Sequence, residues 1–205
     1  MMIQLPRLYC IADAALLPTT AELMAFAEAL ATGGCTLLQY RNKSGNARVM
    51  LDQARELRQH LRSPVRLIMN DRADLCLAAE FDAVHVGQED LSPESVRKII
   101  GPDRWLGVST HNPDQLREAD LTSADYLAIG PVFATSSKAQ PDPVVGLEGV
   151  RQARALTRKP LVAIGGITRA NAASVLAAGA DSVAVISDLL PDPRKSAEEF
   201  FRILR

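Results

Sequence analysis

The sequence predicts a (β/α)8 barrel, an α/β fold of the TIM-barrel class. Three observations lead there. Short runs rich in Val, Ile, Leu and Tyr recur eight times along the chain. They alternate with stretches of helical periodicity, the order expected of a parallel sheet whose strands are buried on both faces and covered by helices. Polar residues and glycines collect just after the C-terminal ends of the runs, where barrel enzymes keep their chemistry. Eight units in 205 residues leave about 26 residues each, tight against the roughly 250 residues typical of such barrels. A doubly wound open sheet is the alternative. No linker or low-complexity stretch divides the chain, so residues 1–205 are expected to form a single barrel domain.

Residues 7–12 (RLYCIA) open the series, and a helix over 20–31 follows with Leu23, Phe26, Ala27 and Leu30 at 3–4 spacing. The second strand is 36–40 (TLLQY); its helix over 46–61 carries Val49, Leu51, Ala54, Leu57 and Leu61 with arginines between them. The third strand, 66–69 (RLIM), leads into the weakest helical pattern, 73–80. Strand four is 83–86 (AVHV), and a Ser-Pro start opens the helix over 92–100, proline being at home in a first helical turn. Strand five, 105–108 (WLGV), precedes a helix over 112–119 with an Asn-Pro start. Strand six is 126–129 (YLAI), strand seven 161–164 (LVAI) and strand eight 182–186 (SVAVI), with helices over 147–157, 169–178 and 197–204. Gly33-Gly34, Gly101 and Gly179 fall where helices end. The one long loop, 135–146 (TSSKAQPDPVVG), is of a length that is usually functional.

Composition narrows the function classes. Lys+Arg number 23 against 24 Asp+Glu, a net charge of −1, and aromatics make up 4%. A sequence-independent nucleic-acid binder needs a basic face or stacking platforms, so no nucleic-acid partner is expected. The N-terminal residues do not read as a signal peptide and no window reaches a membrane span, so no membrane partner is expected either. Cys10, Cys35 and Cys76 are an odd number, widely spaced and set among apolar neighbours. They read as core residues of a cytoplasmic protein. The oligomeric state is open, a homo-oligomer included.

The strand ends carry the chemistry. Gln39, Arg41 and Lys43 are spaced by two after strand two, so alternation sets them on one face; an amide, a guanidinium and an ammonium together suit a polyanion such as pyrophosphate, although a solvated loop would show the same residues. Asp71 beside Asn70, and Asp90 beside Glu89, end adjacent strands. Such an oxygen-only set suits Mg2+, with helix N-capping as the alternative. Gly165-Gly166 after strand seven, followed by Ile186-Ser187 after strand eight, falls where barrels bind phosphate through backbone N–H groups. Ser109 follows strand five, and Thr135, Ser137 and Lys138 follow strand six. His60 reads as solvent-facing. His85 could point into the barrel or outward, and His111 could start a helix or act in acid–base chemistry. Trp105 reads as core. No Ser-His-Asp or Cys-His arrangement and no G-x-G-x-x-G fingerprint is present.

The motifs QYRNK (39–43), ND (70–71), VGQEDL (86–91), GVSTH (107–111), DYLAIGPVFATSSK (125–138), AIGGI (163–167) and AGADSVAVIS (178–187) resemble those of the thiamine phosphate synthase family, in order from about residue 7 to 190. The resemblance implies a Mg2+-dependent transferase of an alkyl or aryl group (EC 2.5.1.3) in thiamine biosynthesis. It would join 4-amino-2-methylpyrimidin-5-ylmethyl diphosphate to 4-methyl-5-(2-phosphooxyethyl)thiazole by a dissociative, carbocation-type step. It implies that Gln39, Arg41, Lys43, Asn70 and Ser109 meet the pyrimidine diphosphate and that Lys138 reaches the pyrophosphate. Asp71 and Asp90 would hold Mg2+, and Thr135, Ser137, Gly166, Ile186 and Ser187 would bind the thiazole phosphate. Arg41, Lys43, Ser109 and Lys138 are the catalytic candidates, and the 135–146 loop would act as a lid. Ser137 stands where the family often has Thr, and Ala134 where Pro is frequent. The rivals are the thiazole tautomerase branch, expected to carry His where Pro131 stands, other phosphate-binding barrel isomerases, and a non-catalytic barrel that senses a phosphorylated ligand.

Overall fold

In a computed structural model, described here for residues 3–61, 63–135 and 142–205, the eight strands close into one parallel barrel in sequence order. The strands are β1 (Leu8–Asp13), β2 (Leu37–Arg41), β3 (Arg66–Asn70), β4 (Ala83–Val86), β5 (Trp105–Thr110), β6 (Tyr126–Ile129), β7 (Leu161–Ile164) and β8 (Ser182–Val185). β8 returns to pair with β1, Leu8 standing opposite Val183. The helices are α1 (Thr20–Thr32), α2 (Ala47–His60), α3 (Ala73–Ala78), α4 (Pro93–Ile100), α5 (Pro113–Asp120), α6 (Gly146–Leu156), α7 (Ala172–Ala177) and α8 (Pro193–Ile203), with a 3-10 turn at Ser187–Leu189. Among the described residues no helix is long and apolar enough to cross a membrane.

Strand alternation divides the apolar residues into two cores. Tyr9, Ile11, Leu37, Ile68, Tyr126, Ala128, Val162 and Ala184 fill the barrel. Their chain neighbours, among them Leu8, Cys10, Leu38, Leu67, Val84, Leu127 and Val183, meet the helices outside. Cys10, Cys35 and Cys76 are buried. Trp105 departs from its expected place: it is only half-buried, and the Arg66 guanidinium lies 3.8 Å over its ring.

Two helix starts also move. α8 begins four residues early because Asp192 caps it, accepting from the Lys195 amide at 3.2 Å, with Pro193 in the first turn. α7 begins late because Asn171 is used elsewhere. Its Oδ1 accepts from the Thr168 amide at 2.8 Å, and its Nδ2 donates to the Gly166 carbonyl at 3.0 Å.

The opposite end of the barrel carries a repeated clasp. Asp82, Asp125 and Asp181 stand just before β4, β6 and β8. Each accepts from the backbone amide of the preceding strand, at Leu67, Leu106 and Leu161, over 2.7–2.8 Å. Each also pairs with an arginine of the helix that leads into that preceding strand, Arg58 of α2, Arg97 of α4 and Arg154 of α6 respectively. This end of a barrel is where stability resides, and it leaves the other end free for function.

Candidate active site

A cavity of about 750 Å³ opens at the C-terminal mouth of the barrel. Every described residue that the sequence assigns to the site lines it: Gln39, Arg41, Lys43, Asn70, Asp71, Asp90, Ser109, Thr135, Gly166, Ile186 and Ser187. Ser137, Lys138 and half of the 135–146 loop fall in 136–141, outside the described residues.

The cationic rim comes from the end of β2. Arg41 lies in the strand and pairs with Asp13 at the end of β1. Asp13 is 4% exposed and also accepts from the Ala15 amide at 3.0 Å. Lys43 sits one residue beyond a braced corner. Asn42 is buried, donating from Nδ2 to the Tyr40 hydroxyl at 3.0 Å and accepting from the Ser44 amide at 2.8 Å. Lys43 then reaches Asp71, just past the end of the neighbouring strand β3.

Asp71 does not cap α3, which has no side-chain cap. Its backbone is left-handed, φ 62°, and its amide donates to the His85 carbonyl at 2.8 Å. A non-glycine residue held there is strained, and such strain gathers at functional sites. Burial pushes the Asp71 carboxyl above the usual carboxylate range; Asp90 beside it adds to the rise and Lys43 opposes it. Asp90 is fixed by the Gly87 amide at 2.7 Å. Two converging carboxylates with one displaced upward form a pair that a cation would relax. Among the described residues no group of three or more His, Cys, Asp or Glu could hold a metal ion. An ion here therefore needs oxygens from substrate and water, which is the habit of Mg2+. The Asn70 amide nitrogen is buried on the same side without a partner, so a ligand acceptor would satisfy it.

Across the mouth lies a cup of backbone. Gly165 and Gly166 have φ of 100° and 62°. A Cβ on Gly165 would stand 2.5 Å from the Pro131 Cβ, and one on Gly166 2.5 Å from the Ala134 carbonyl oxygen. Only glycine fits where the loops after β6 and β7 press together. Asn171 pins the Gly166 carbonyl, and Arg169 ties the loop to Asp188 in the turn after β8. The amides of Gly166 and Ser187 have no acceptor among the described residues. N–H groups left open in this way are able to donate to phosphate oxygens.

Between rim and cup, His85 faces inward, settling the choice left open by the sequence. It is 8% exposed, and burial lowers its pKa to about 4, so it is neutral at physiological pH. Its Nε2 lies 2.8 Å from Ser109 Oγ. His111 donates from Nδ1 to the Gly130 carbonyl at 2.6 Å and faces Asp142 at 3.5 Å, joining the end of β5 to the far side of the long loop. Sequence reasoning missed Asp13, Tyr9 and Tyr126. An acid ending a strand beside an arginine was the only available signal for Asp13; the two tyrosines look like ordinary core.

A closed (β/α)8 barrel with a cationic and carboxylate rim facing a backbone phosphate cup defines a phosphate-handling barrel enzyme. Its motifs and length place it more narrowly. The chain belongs to the thiamine monophosphate synthase family, whose profile matches residues 8–189. It is 60% identical over 205 residues to the thiamine-phosphate synthase of Koribacter versatilis (strain Ellin345), covering 98% of this chain and 97% of that one. It is 46% identical over 182 residues to the thiamine-phosphate synthase of Chloroflexus aurantiacus (strain ATCC 29366 / DSM 635 / J-10-fl), covering 88% and 83%. Thiamine phosphate pyrophosphorylase from Pyrococcus furiosus superposes with a TM-score of 0.86 at 35% identity, covering 97% of this chain and 95% of that one.

Proposed function

We propose that this chain is a cytoplasmic thiamine phosphate synthase. The C–O bond of 4-amino-2-methylpyrimidin-5-ylmethyl diphosphate breaks, pyrophosphate departs with the electron pair, and the ring nitrogen of 4-methyl-5-(2-phosphooxyethyl)thiazole forms the new C–N bond. The observation that carries this reading is that two unlike anion sites line one mouth. A charged one, Arg41 and Lys43 from the end of β2, shares the cavity with a backbone one, Gly166 and Ser187 after β7 and β8. Two phosphorylated substrates need two such sites, and the distinction separates a diphosphate from a monophosphate.

Arg41 and Lys43 hold the leaving diphosphate, and their charge matters most as the bond breaks and negative charge builds on the leaving oxygen. The family resemblance assigns Lys138 to the same pyrophosphate. Gln39, Asn70 and Ser109 hold the pyrimidine deeper in the barrel. Thr135, Ser137, Gly166, Ile186 and Ser187 take the thiazole phosphate and aim the ring nitrogen at the cationic carbon. Asp71 and Asp90 are the residues that would hold Mg2+, which supplies further neutralisation of the diphosphate charge when bound. The apolar wall of Ile11, Ala128, Val162 and Ala184 beneath keeps water from a reactive carbon. Pro131 stands where the tautomerase branch is expected to carry histidine, and the complete rim favours transfer over sensing.

Lys43→Ala and Asp90→Ala test the assignment by steady-state turnover with both substrates and Mg2+. Each is expected to lose at least about 100-fold in kcat, the effect typical of removing one transition-state charge partner. Rates near those of the unmodified chain would overturn it.

A further inference from the structure

The barrel interior holds a hydrogen-bonded chain that the reaction as written does not use. Gln39 Nε2 donates to the Tyr9 hydroxyl at 2.6 Å. The Tyr9 and Tyr126 hydroxyls meet at 3.1 Å. The Tyr126 hydroxyl lies 3.0 Å from His85 Nδ1, and His85 Nε2 lies 2.8 Å from Ser109 Oγ. Five residues from five strands thus connect the β2 wall of the cavity to the β5 wall. Gly107 makes room for the central link: a Cβ there would stand 2.1 Å from the Tyr126 Cζ and 2.5 Å from His85 Nδ1.

Each link can pass on one proton only. Burial raises both phenols above their usual range, so both stay protonated. With the Gln39 amide nitrogen donating to Tyr9, the Tyr9 proton goes to Tyr126 and the Tyr126 proton goes to His85 Nδ1. His85 then carries its proton on Nε2 and donates to Ser109, whose own proton is left for the ligand. Turning the Gln39 amide over reverses every bond, and Ser109 then offers the ligand lone pairs alone. The amide orientation at one wall and the hydroxyl direction at the other are therefore a single variable.

We propose that His85 is a positioning residue of the site, transmitting the Gln39 amide orientation through Tyr9 and Tyr126 to the Ser109 hydroxyl. The substrate then meets both ends as one matched set of donors and acceptors. An aminopyrimidine, with an exocyclic N–H donor beside ring-nitrogen acceptors, is a ligand that such a matched set can select. The inference rests on the reading above, which takes Gln39 and Ser109 as the groups that meet the pyrimidine. Its added content is that the three residues between them set the orientation of both.

Glutamine and asparagine separate the two ring nitrogens of His85. The amide of His85→Gln keeps the chain whole, its Oε1 accepting from the Tyr126 hydroxyl and its Nε2 donating to Ser109. That of His85→Asn reaches only the position of Nδ1. Turnover is measured for the unmodified chain and both variants, each with and without Ser109→Ala. The expected result is that His85→Gln stays within about threefold in kcat while His85→Asn falls about tenfold, the weight of one buried hydrogen bond. The KM for the thiazole phosphate should not move in either, and in the Ser109→Ala background the two variants should be equal. Tyr126→Phe, which keeps the ring and breaks the chain, should behave as His85→Asn does and carries the test if that variant does not fold. Equal rates for His85→Asn and His85→Gln with Ser109 present, or the same loss in both backgrounds, would overturn the relay while leaving the reaction standing. An unmodified chain that makes no thiamine phosphate would overturn both.

Discussion

Asp13 holds Arg41. The carboxylate closing β1 receives the guanidinium that closes β2, and an additional bond from the Ala15 amide keeps it from turning away. Arg41 is thereby presented to the cavity in one fixed orientation, and a fixed cation is worth more to a developing charge than a mobile one.

Asp13→Asn should therefore cut kcat/KM for the pyrimidine diphosphate by roughly 10- to 100-fold, through an Arg41 that is present and misdirected. Removing one partner of a mostly buried pair should also cost about 1–3 kcal/mol of stability. Steady-state kinetics together with urea unfolding check both. A loss of stability with unchanged kinetics would show that Asp13 serves the barrel alone.

Asp71 should trade stability for function. Its raised carboxyl pKa means that the native state binds a proton more readily than the unfolded chain. Its contribution is fully present below the unfolded pKa near 4 and is lost as pH rises through the folded one. At neutral pH without divalent cations, Asp71→Asn should be at least as stable as the unmodified chain. Mg2+ should raise the melting temperature of the unmodified chain and leave that of the variant unmoved. Turnover of the variant should fall at least about 100-fold. Thermal scans with EDTA and with Mg2+ read the first two expectations directly.

His85 sets an acid limit. Its folded pKa of about 4 lies below the unfolded value near 6.5. Its stabilising contribution is complete above pH 6.5 and is lost as pH falls toward 4, by about 3 kcal/mol in all. His85→Gln removes that titration. Between pH 7.5 and 4.5 the unmodified chain should lose stability relative to the variant by this order, as read in paired urea titrations. Parallel pH curves would contradict a buried neutral imidazole.

The three aspartate clasps should contribute to stability and not to chemistry. Asp125 accepts from Leu106 and pairs with Arg97, far from the cavity. Asp125→Ala should lower stability by about 1–3 kcal/mol, for an amide and a guanidinium left without their acceptor. The kcat of the folded fraction should not change.

The barrel was legible because its cause is local. Runs such as LVAI and YLAI can serve only as strands buried on both faces, and their spacing sets the order. The site was legible wherever one residue type suffices: lysine and arginine at a strand end, paired acids, two adjacent glycines. Other features depend on partners far away in sequence. Asp13 matters through Arg41, 28 residues on, and Tyr126 matters through His85, 41 residues away. Asp82, Asp125 and Asp181 read as plain residues before strands, because each gains its role only when the neighbouring strand and the preceding helix close around it. Asn171 looked like part of a helix until its side chain was seen to brace the Gly166 loop. The Asp-Pro start of α8, by contrast, was present in the sequence in the same form as the Ser-Pro and Asn-Pro starts of α4 and α5.

The central claim is that one barrel mouth joins a diphosphate substrate to a monophosphate one. Phosphorus NMR of the purified chain with both substrates and Mg2+ tests it most directly. Pyrophosphate and thiamine phosphate should appear in equal amounts, as the thiazole phosphate signal falls by the same amount. Release of pyrophosphate with the thiazole phosphate unchanged, or no change in either signal, would contradict it.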